Sequence, residues 1–345
     1  MRQNNIFLML LKVFFFSSIL VATSAVRAEL KVVTTIKPLH SLIANVMDGV
    51  GEPALIIEGS TSPHSFTLKP SHAKLLEEAD IIFWVGESIE TFMERPLESI
   101  VKNAEVIEFM EVESINKLKF REESIFEDHD DHDDHDDHDD HDDHDDHDDH
   151  DDHDDHDDHD DHDDHDDHSG HDDHGHAHGE FDAHIWLDPM NAKEMVHEIA
   201  HELSDLDPAN KDKYEANAQA TIQALDQLVK DIEKEINKDA KFVVFHDAYQ
   251  YFEERFETRA AGALTLNTDV LPGAKQIADI QDVIKDRGIK CIFSEPQFNP
   301  KIITTIAEDM NIKTGVFDPL GANIDSNKDL YFKLIQNLGN ELKGC

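Results

Sequence analysis

Three histidines stand where a ligand site is expected, each beside a predicted strand or the acidic repeat that occupies the middle of the chain. His64 lies in a turn-like stretch just beyond a predicted strand, His184 follows the repeat, and His246 follows the apolar run 242–245. Ligands of open α/β sheets bind at the carboxyl ends of strands, so we expect at least two of these histidines to face a cleft. Imidazole suits zinc, and three imidazoles leave one coordination position for a carboxylate or water. The pattern predicts a tight, reversible zinc site.

Asp318 is our candidate for that fourth position, because it ends a predicted strand at 315–317. An equally good interpretation makes it a turn residue before Pro319. Asp188 and Asp247 each lie close to a candidate histidine, and we expect both to cap helices. Either could also orient a ligand from behind.

The four other histidines outside the repeat have weaker contexts. We expect His72 to be exposed on a helix, and His40, which opens a helix, ranks below the three for lining a cleft. His197 and His201 flank Glu198 in an H-E-x-x-H pattern, in which two histidines of one helical face bind zinc and the glutamate acts as a general base. A secreted zinc hydrolase is therefore the competing hypothesis, although so short a motif also arises by accident.

A His-Asp-Asp triplet repeats from His129 to His168 and continues into a glycine-containing tail, so that residues 128–178 hold 18 of the 25 histidines. The segment has no large apolar residue and cannot form a core, which predicts a disordered surface loop. A solvating acidic segment would need no histidine, so their regular spacing favours several weak, exchangeable metal sites. Representative ligands of this auxiliary metal loop are His129, His132, His135, His168, His171, His174, His176 and His178.

Charge and the two chain ends narrow the function further. The net charge is −47, of which 30 negative charges lie between residues 127 and 173, and nothing basic enough to bind nucleic acid is present. An apolar run at 6–21 and small residues up to Ala28 indicate a signal peptide, 1–28, cleaved before Glu29; a retained membrane helix is the weaker alternative. Export to an oxidising compartment favours a disulfide between Cys291 and Cys345 over two metal-binding thiols.

Apolar runs alternate with helical patterns on both sides of the repeat, which predicts an α/β protein with parallel sheets and crossover helices. The predicted strands are 31–35, 54–58, 81–85, 105–109, 242–245, 291–293 and 315–317, and helices between them include 71–79, 89–101 and 299–310. Residues 207–238, with Asp207 as cap and Pro208 in the first turn, predict one helix of roughly 45 Å. It would join an N-terminal lobe, 29–206, to a C-terminal lobe, 239–345; a helix packed within one lobe is the alternative.

Several stretches resemble the zinc-specific periplasmic solute-binding proteins of ABC transporters. They span nearly the whole mature chain and are Ser62-Pro63-His64, Leu68-Lys69-Pro70-Ser71, Ile82-Phe83-Trp84-Val85-Gly86, His184-Ile185-Trp186-Leu187-Asp188-Pro189, Phe245-His246-Asp247-Ala248-Tyr249, Ser294-Glu295-Pro296-Gln297-Phe298 and Asp318-Pro319-Leu320-Gly321. The resemblance implies two α/β lobes, joined by a long rigid helix, with the metal between them and a His-rich loop in the first lobe.

The resemblance also implies roles for individual residues. It makes His64, His184 and His246 the primary ligands of a transported Zn²⁺, with water or Asp318 completing the shell, and it implies the Cys291–Cys345 disulfide. Manganese-binding relatives place a glutamate at the position of His246, so the histidine favours zinc. At position 63 some relatives have a glutamate that can bind the metal, whereas this chain has Pro63. The implied protein is not an enzyme but a periplasmic monomer that hands zinc to the permease of an ABC importer; a metal buffer or manganese-type adhesin is the remaining alternative.

Overall fold

The computed structural model describes residues 29–126, 180–266, 268 and 271–345. The predicted signal peptide and the predicted auxiliary metal loop at 128–178 lie outside these residues. No helix within the described ranges is both long enough and apolar enough to cross a bilayer.

The first sheet is parallel and has four strands in the order β2-β1-β3-β4. The strands are β1 (Val32–Thr34), β2 (Ala54–Leu55), β3 (Ile81–Trp84) and β4 (Glu105–Glu108), and the helices between and after them are α1 (Lys37–Val46), α2 (Pro70–Glu78) and α3 (Glu94–Ser99). The two central strands β1 and β3 are buried along their whole length, as expected where helices cover both faces of a parallel sheet. The predicted helix 89–101 is shorter than expected, because Pro96 is tolerated in the first turn of α3 but not in a helix interior.

Two long antiparallel helices follow, α4 (Pro189–Leu206) and α5 (Lys211–Glu235). The predicted single helix 207–238 is wrong at its start, because α4 runs up to Leu206 and the chain needs residues 207–210 to reverse direction. Asp207 ends α4, where its amide donates to Leu203 O at 2.9 Å, and its carboxylate accepts from Asn210 Nδ2 at 2.6 Å. The apolar face of α5 is buried and the helix packs against α4 and α1. The division into lobes at 206 and 238 stays a prediction.

The second sheet repeats the strand order of the first, as β6-β5-β7-β8, again with all pairs parallel. Its strands are β5 (Phe242–His246), β6 (Ala263–Thr265), β7 (Cys291–Ser294) and β8 (Lys313–Val316), with helices α6 (Gln250–Phe256), α7 (Ala274–Asp286), α8 (Lys301–Met310) and α9 (Leu330–Leu342). β6 was not among the predicted strands. All seven predicted strands are present, and the α/β class with two parallel sheets is confirmed.

One continuous core joins the two sheets. It includes Phe83 of the first sheet, Trp186 and Leu225 of the middle segment, and Phe293 of the second sheet, while a smaller cluster covers the outer face of the second sheet. Because buried side chains of both sheets pack into one core, moving the two sheets apart as rigid bodies would expose apolar surface. The fold therefore restricts how far the cleft opens.

The chain also crosses between the sheets at residues 116–126. Ile125 pairs with Gly262 beside the edge strand β6, and Phe126 N donates to Ala261 O at 3.1 Å. The returning chain pairs with the outgoing one at Lys119 and Phe181. The crossing chain therefore covers the edge of the second sheet beside β6.

Candidate metal centre

Each of the three predicted histidines is presented by a different local element. His64 lies in a single 3₁₀ turn, Pro63–Ser65, which begins where the Ser62 hydroxyl accepts from the His64 amide at 3.3 Å. His184 directly precedes a second 3₁₀ turn, Ile185–Leu187. His246 is the last residue of β5, at the carboxyl edge of the second sheet. Strand ends and short turns hold side chains more firmly than long loops, so the site is built on rigid supports.

The three rings converge. Ring centroids are 4.9 Å apart for His184 and His246, 5.5 Å for His64 and His246, and 5.6 Å for His64 and His184. Each ring offers one nitrogen such that the three nitrogens lie within 4.8 Å of one another, and no other group of three or more His, Cys, Asp or Glu residues within the described ranges does so. Spacing of this kind fits one cation bound by three imidazoles.

Two buried carboxylates stand behind two of the rings. His184 Nδ1 lies 2.7 Å from Asp182 Oδ1, and His246 Nδ1 lies 3.2 Å from both oxygens of Glu295. A carboxylate on Nδ1 fixes the tautomer and leaves Nε2 as the metal-binding nitrogen, with increased basicity. Our sequence analysis missed both residues, although Glu295 follows a predicted strand and the carboxyl-edge rule that selected His246 could have found it.

Burial dominates the electrostatics of this site. It lowers the pKa of His184 well below the usual value, reinforced by the positive charge of His246, so His184 is neutral and able to bind metal at neutral pH. Burial also opposes charge on His246, but the charge and hydrogen bond of Glu295 outweigh it and raise the pKa of His246. Burial raises the pKa of Asp182 to about 7. A bound cation would favour the ionised carboxylate of Asp182 and the neutral imidazole of His246.

Asp318 lies outside the three-histidine group. Its Oδ1 accepts from Gln297 Nε2 at 3.1 Å and from Leu320 N at 3.2 Å, and its Oδ2 accepts from Ala322 N at 2.6 Å. Both oxygens are thus committed to the loop that follows β8. This placement supports the interpretation of Asp318 as a turn residue.

Asp188 and Asp247 have other roles than orienting a ligand. Asp188 caps α4 through Met190 N at 2.8 Å, as predicted, and pairs with Arg255. Asp247 was expected to cap a helix, but α6 begins only at Gln250; its carboxylate instead pairs with Arg121 at 2.9 Å. The carboxylates that contact the candidate ligands are Asp182 and Glu295.

The remaining histidines lie elsewhere. His40 is buried with its Nε2 3.2 Å from Pro53 O rather than in the cleft, and His72 stacks on Phe66. His197 and His201 are exposed and line a groove between α4 and α5, where His201 pairs with its neighbour Glu202. Among the described residues, this pair belongs to no cluster of three ligands, so the structure offers no support for the hydrolase hypothesis.

The space between the imidazoles is small. A cavity of about 30 Å³ is lined by the three rings and by Phe120 and Phe181, which lie at the Lys119–Phe181 pairing. That volume suits a single ion or water, whereas organic ligands need several hundred cubic ångströms. The 640 Å³ groove beside α6 has none of the three histidines in its lining. The site therefore fits a metal ion rather than a small organic molecule.

Comparison with known proteins agrees with this geometry. Residues 32–345 match the model of a family described as "ZnuA: Zinc-uptake complex component A periplasmic". The chain is 49% identical over 316 residues to the "High-affinity zinc uptake system protein ZnuA" of Brucella abortus, with 91% of each chain covered. It is 38% identical over 320 residues to the protein of the same name from Haemophilus influenzae, covering 92% of this chain and 93% of that one.

Solved structures show the same fold at lower identity. A crystal structure of ZnuA aligns with a TM-score of 0.66 and 21% identity, over 90% of this chain and 98% of that one. The laminin-binding protein of Streptococcus agalactiae aligns with a TM-score of 0.65 and 22% identity, over 91% and 99%. The family model and the curated relatives both cover most of the chain, and the chain therefore belongs to the family of periplasmic zinc-uptake components called ZnuA.

Proposed function

We propose that this protein captures Zn²⁺ with His64, His184 and His246 and delivers it to the membrane permease of an ABC importer. The observation that carries the proposal is the convergence of three imidazole nitrogens within 4.8 Å, two of them on rings braced by buried carboxylates. The donor set, the small cavity and the family all point to one ion as the cargo.

Zinc fits this donor set for two reasons. Imidazole is a good ligand for zinc, and Zn²⁺ accepts a three-histidine site with water as the fourth ligand. The carboxylates of Asp182 and Glu295 also balance the two positive charges of the ion in a buried site, where an isolated charge is costly. Curated relatives named for high-affinity zinc uptake support the same choice.

Release follows from the unequal burial of the ligands. His184 and His246 are 5% and 3% exposed, whereas His64 is partly exposed on its short turn. Loss of the His64 contact would leave the ion on two imidazoles and open to water. We propose that contact with the permease promotes this step, so the protein transfers an unchanged ion and catalyses no covalent reaction.

Several finer expectations belong to the same proposal. We propose a monomer that resides in the periplasm after removal of residues 1–28, with the histidines of 128–178 as auxiliary, weaker metal ligands. The manganese-type alternative is less consistent with histidine at position 246, since oxygen ligands suit Mn²⁺ better. The laminin-binding protein of Streptococcus agalactiae is described as having adhesin and metal transporting activity, but at 22% identity it supports only the fold.

The test is zinc titration of the chain from Glu29 onward, by calorimetry or chelator competition. We expect His184→Ala and His246→Ala to abolish tight binding, and a variant lacking residues 128–178 to keep one tight site. His201→Ala is the matched control, because it removes an exposed imidazole from α4 and should leave the affinity unchanged. Loss of all tight binding in the deletion variant would contradict the proposal.

Delivery needs a separate measurement. A strain that lacks this protein but keeps its transporter should regain growth under zinc limitation when the wild type is supplied, and not when His246→Ala is supplied. A protein that only buffers metal would bind zinc in vitro yet fail to restore growth.

A further inference from the structure

Lys37 is a buried cation outside the metal site, and three backbone carbonyls surround it. It is the first residue of α1, 4% exposed, and its Nζ donates to Gly321 O at 2.6 Å, Ala322 O at 3.1 Å and Ile324 O at 2.6 Å. An ammonium group has three hydrogens, so these bonds use its full donor capacity. Lys37 belongs to the first lobe, whereas the carbonyls belong to the loop after β8 in the second.

The loop at 318–324 is thus held from two sides. Its amides point toward Asp318, which accepts from Leu320 N and Ala322 N, and its carbonyls point toward Lys37. Gly321 makes the turn between them with φ of +66°, a conformation that favours glycine. Because buried backbone polar groups need partners, the shape of this loop depends on both charged side chains.

This loop also reaches the imidazoles. Pro319 and Leu320 line a small cavity together with the rings of His64, His184 and His246. Pro319 O accepts from Trp186 Nε1 at 2.7 Å, and the Trp186 ring lies 5.3 Å from that of His184. A shift of the loop would therefore move both the cavity wall and the support of one ligand.

We propose that Lys37 is a positioning residue for zinc binding: by holding residues 318–324, it keeps Pro319 and Leu320 against the imidazoles and ties the second lobe to the helix that follows β1. The inference rests on the proposed function and adds a residue that never touches the ion. It also explains why Asp318 is committed to its own loop, where it is the anionic counterpart of Lys37.

The decisive variant is Lys37→Met, which keeps the length of the side chain but removes the ammonium and leaves three carbonyls without their donor. We expect its zinc Kd to rise by at least about tenfold, the range found when groups behind metal ligands are removed. Tryptophan emission should shift as well, because movement of the loop would disturb the hydrogen bond from Trp186 to Pro319 O. The second tryptophan, Trp84, lies in β3. Chelator competition gives the Kd, and circular dichroism confirms that the variant is folded.

Ser41→Ala is the matched control, one turn further along α1. The Ser41 hydroxyl donates to Lys328 O at 2.9 Å and accepts from Tyr331 N at 3.1 Å, so it ties α1 to residues 328–331, beyond the loop that lines the cavity. We expect this variant to lose thermal stability and keep its zinc Kd within about twofold. A folded Lys37→Met protein with wild-type Kd and emission, or an equal loss of affinity in Ser41→Ala, would overturn the inference.

Two further measurements keep the outcome interpretable. If Lys37→Met does not fold, Gly321→Ala tests the same loop by straining its turn without removing a charge; it should raise the Kd by several-fold, and an unchanged Kd overturns the inference. Absence of tight binding by the wild type would instead count against the proposed function.

Discussion

The two lobes have sheets of the same order but use the same positions differently. In the second sheet the central strand β5 ends at His246, and Glu295 follows the next strand, β7. In the first sheet β1 ends at Thr34, followed by Thr35, and Glu90 lies a few residues beyond β3. Both lobes therefore place a fully buried carboxylate near the carboxyl end of their third strand.

The partners of these two acids differ. Glu90 accepts from Val85 N at 2.7 Å and from Gly86 N at 3.3 Å, so it holds the loop that follows β3. Glu295 lies against the His246 ring instead. A buried carboxylate near this edge of the sheet is thus structural or functional according to whether threonine or histidine ends the neighbouring strand. Both parallel sheets have such a carboxyl edge, and the side chain at the strand end determines the chemistry available there.

The largest expected effect on stability comes from the disulfide in the second lobe. Cys291, at the start of β7, is bonded to Cys345 at the C terminus, 54 residues later, and the chain has no other cysteine. Closing a loop of this length is worth roughly 4 kcal/mol in the chain-entropy model. We expect Cys345→Ser to lower the free energy of unfolding by about that amount in urea titrations, with zinc Kd unchanged. Equal unfolding midpoints of wild type and variant under non-reducing conditions would contradict this expectation.

Glu90 should make the stability of the first lobe depend on pH. Burial raises its pKa from 4.5 to about 7, so the folded state resists ionisation, and the stabilisation present below pH 4.5 is lost as pH rises toward 7. The linked free energy is on the order of 3 kcal/mol. Glu90→Gln keeps an acceptor for Val85 N but cannot ionise, and it should become the more stable protein as pH rises from 5 to 8.

Urea unfolding at both pH values measures this effect. Glu98→Gln, at an exposed position of α3, serves as the control and should follow the wild-type profile. Parallel profiles of wild type and Glu90→Gln would show that Glu90 ionises as easily in the fold as in the unfolded chain.

Zinc affinity gives the sharpest comparison of the two buried glutamates. Glu295→Gln weakens the brace on His246 and should raise the zinc Kd by about 10-fold to 100-fold. Glu90→Gln makes the same chemical change beyond the third strand of the other lobe and should leave the Kd within about twofold. Chelator competition on both variants checks this, and equal effects would refute the division between a structural and a functional carboxylate.

Much of this protein was predictable because the signals are local. Buried parallel strands appear as short apolar runs, which located seven of the eight strands in the described ranges. The strand-end rule selected His64 and His246, the position directly after the acidic repeat selected His184, and the structure brings the three together. The cysteine count and the predicted export indicated the bond between Cys291 and Cys345 that the structure contains. The start of α5 was placed wrongly, because Asp207 and Pro208 suit a helix start and a turn between helices equally well.

Only the tertiary structure decided which acidic residues contact a candidate ligand and which stabilise a loop. Asp318 and Glu295 are both acidic residues that follow a strand of the second sheet, and no sequence pattern distinguishes them. Neighbours that are distant in sequence do so: Lys37, 284 residues before Gly321, holds the carbonyls of the Asp318 loop, while Glu295 faces His246, 49 residues before it. A residue type and its spacing determine which chemistry is available; the contacts made by a buried side chain depend on which distant segments the fold packs against it, since burial requires every polar group to find a partner.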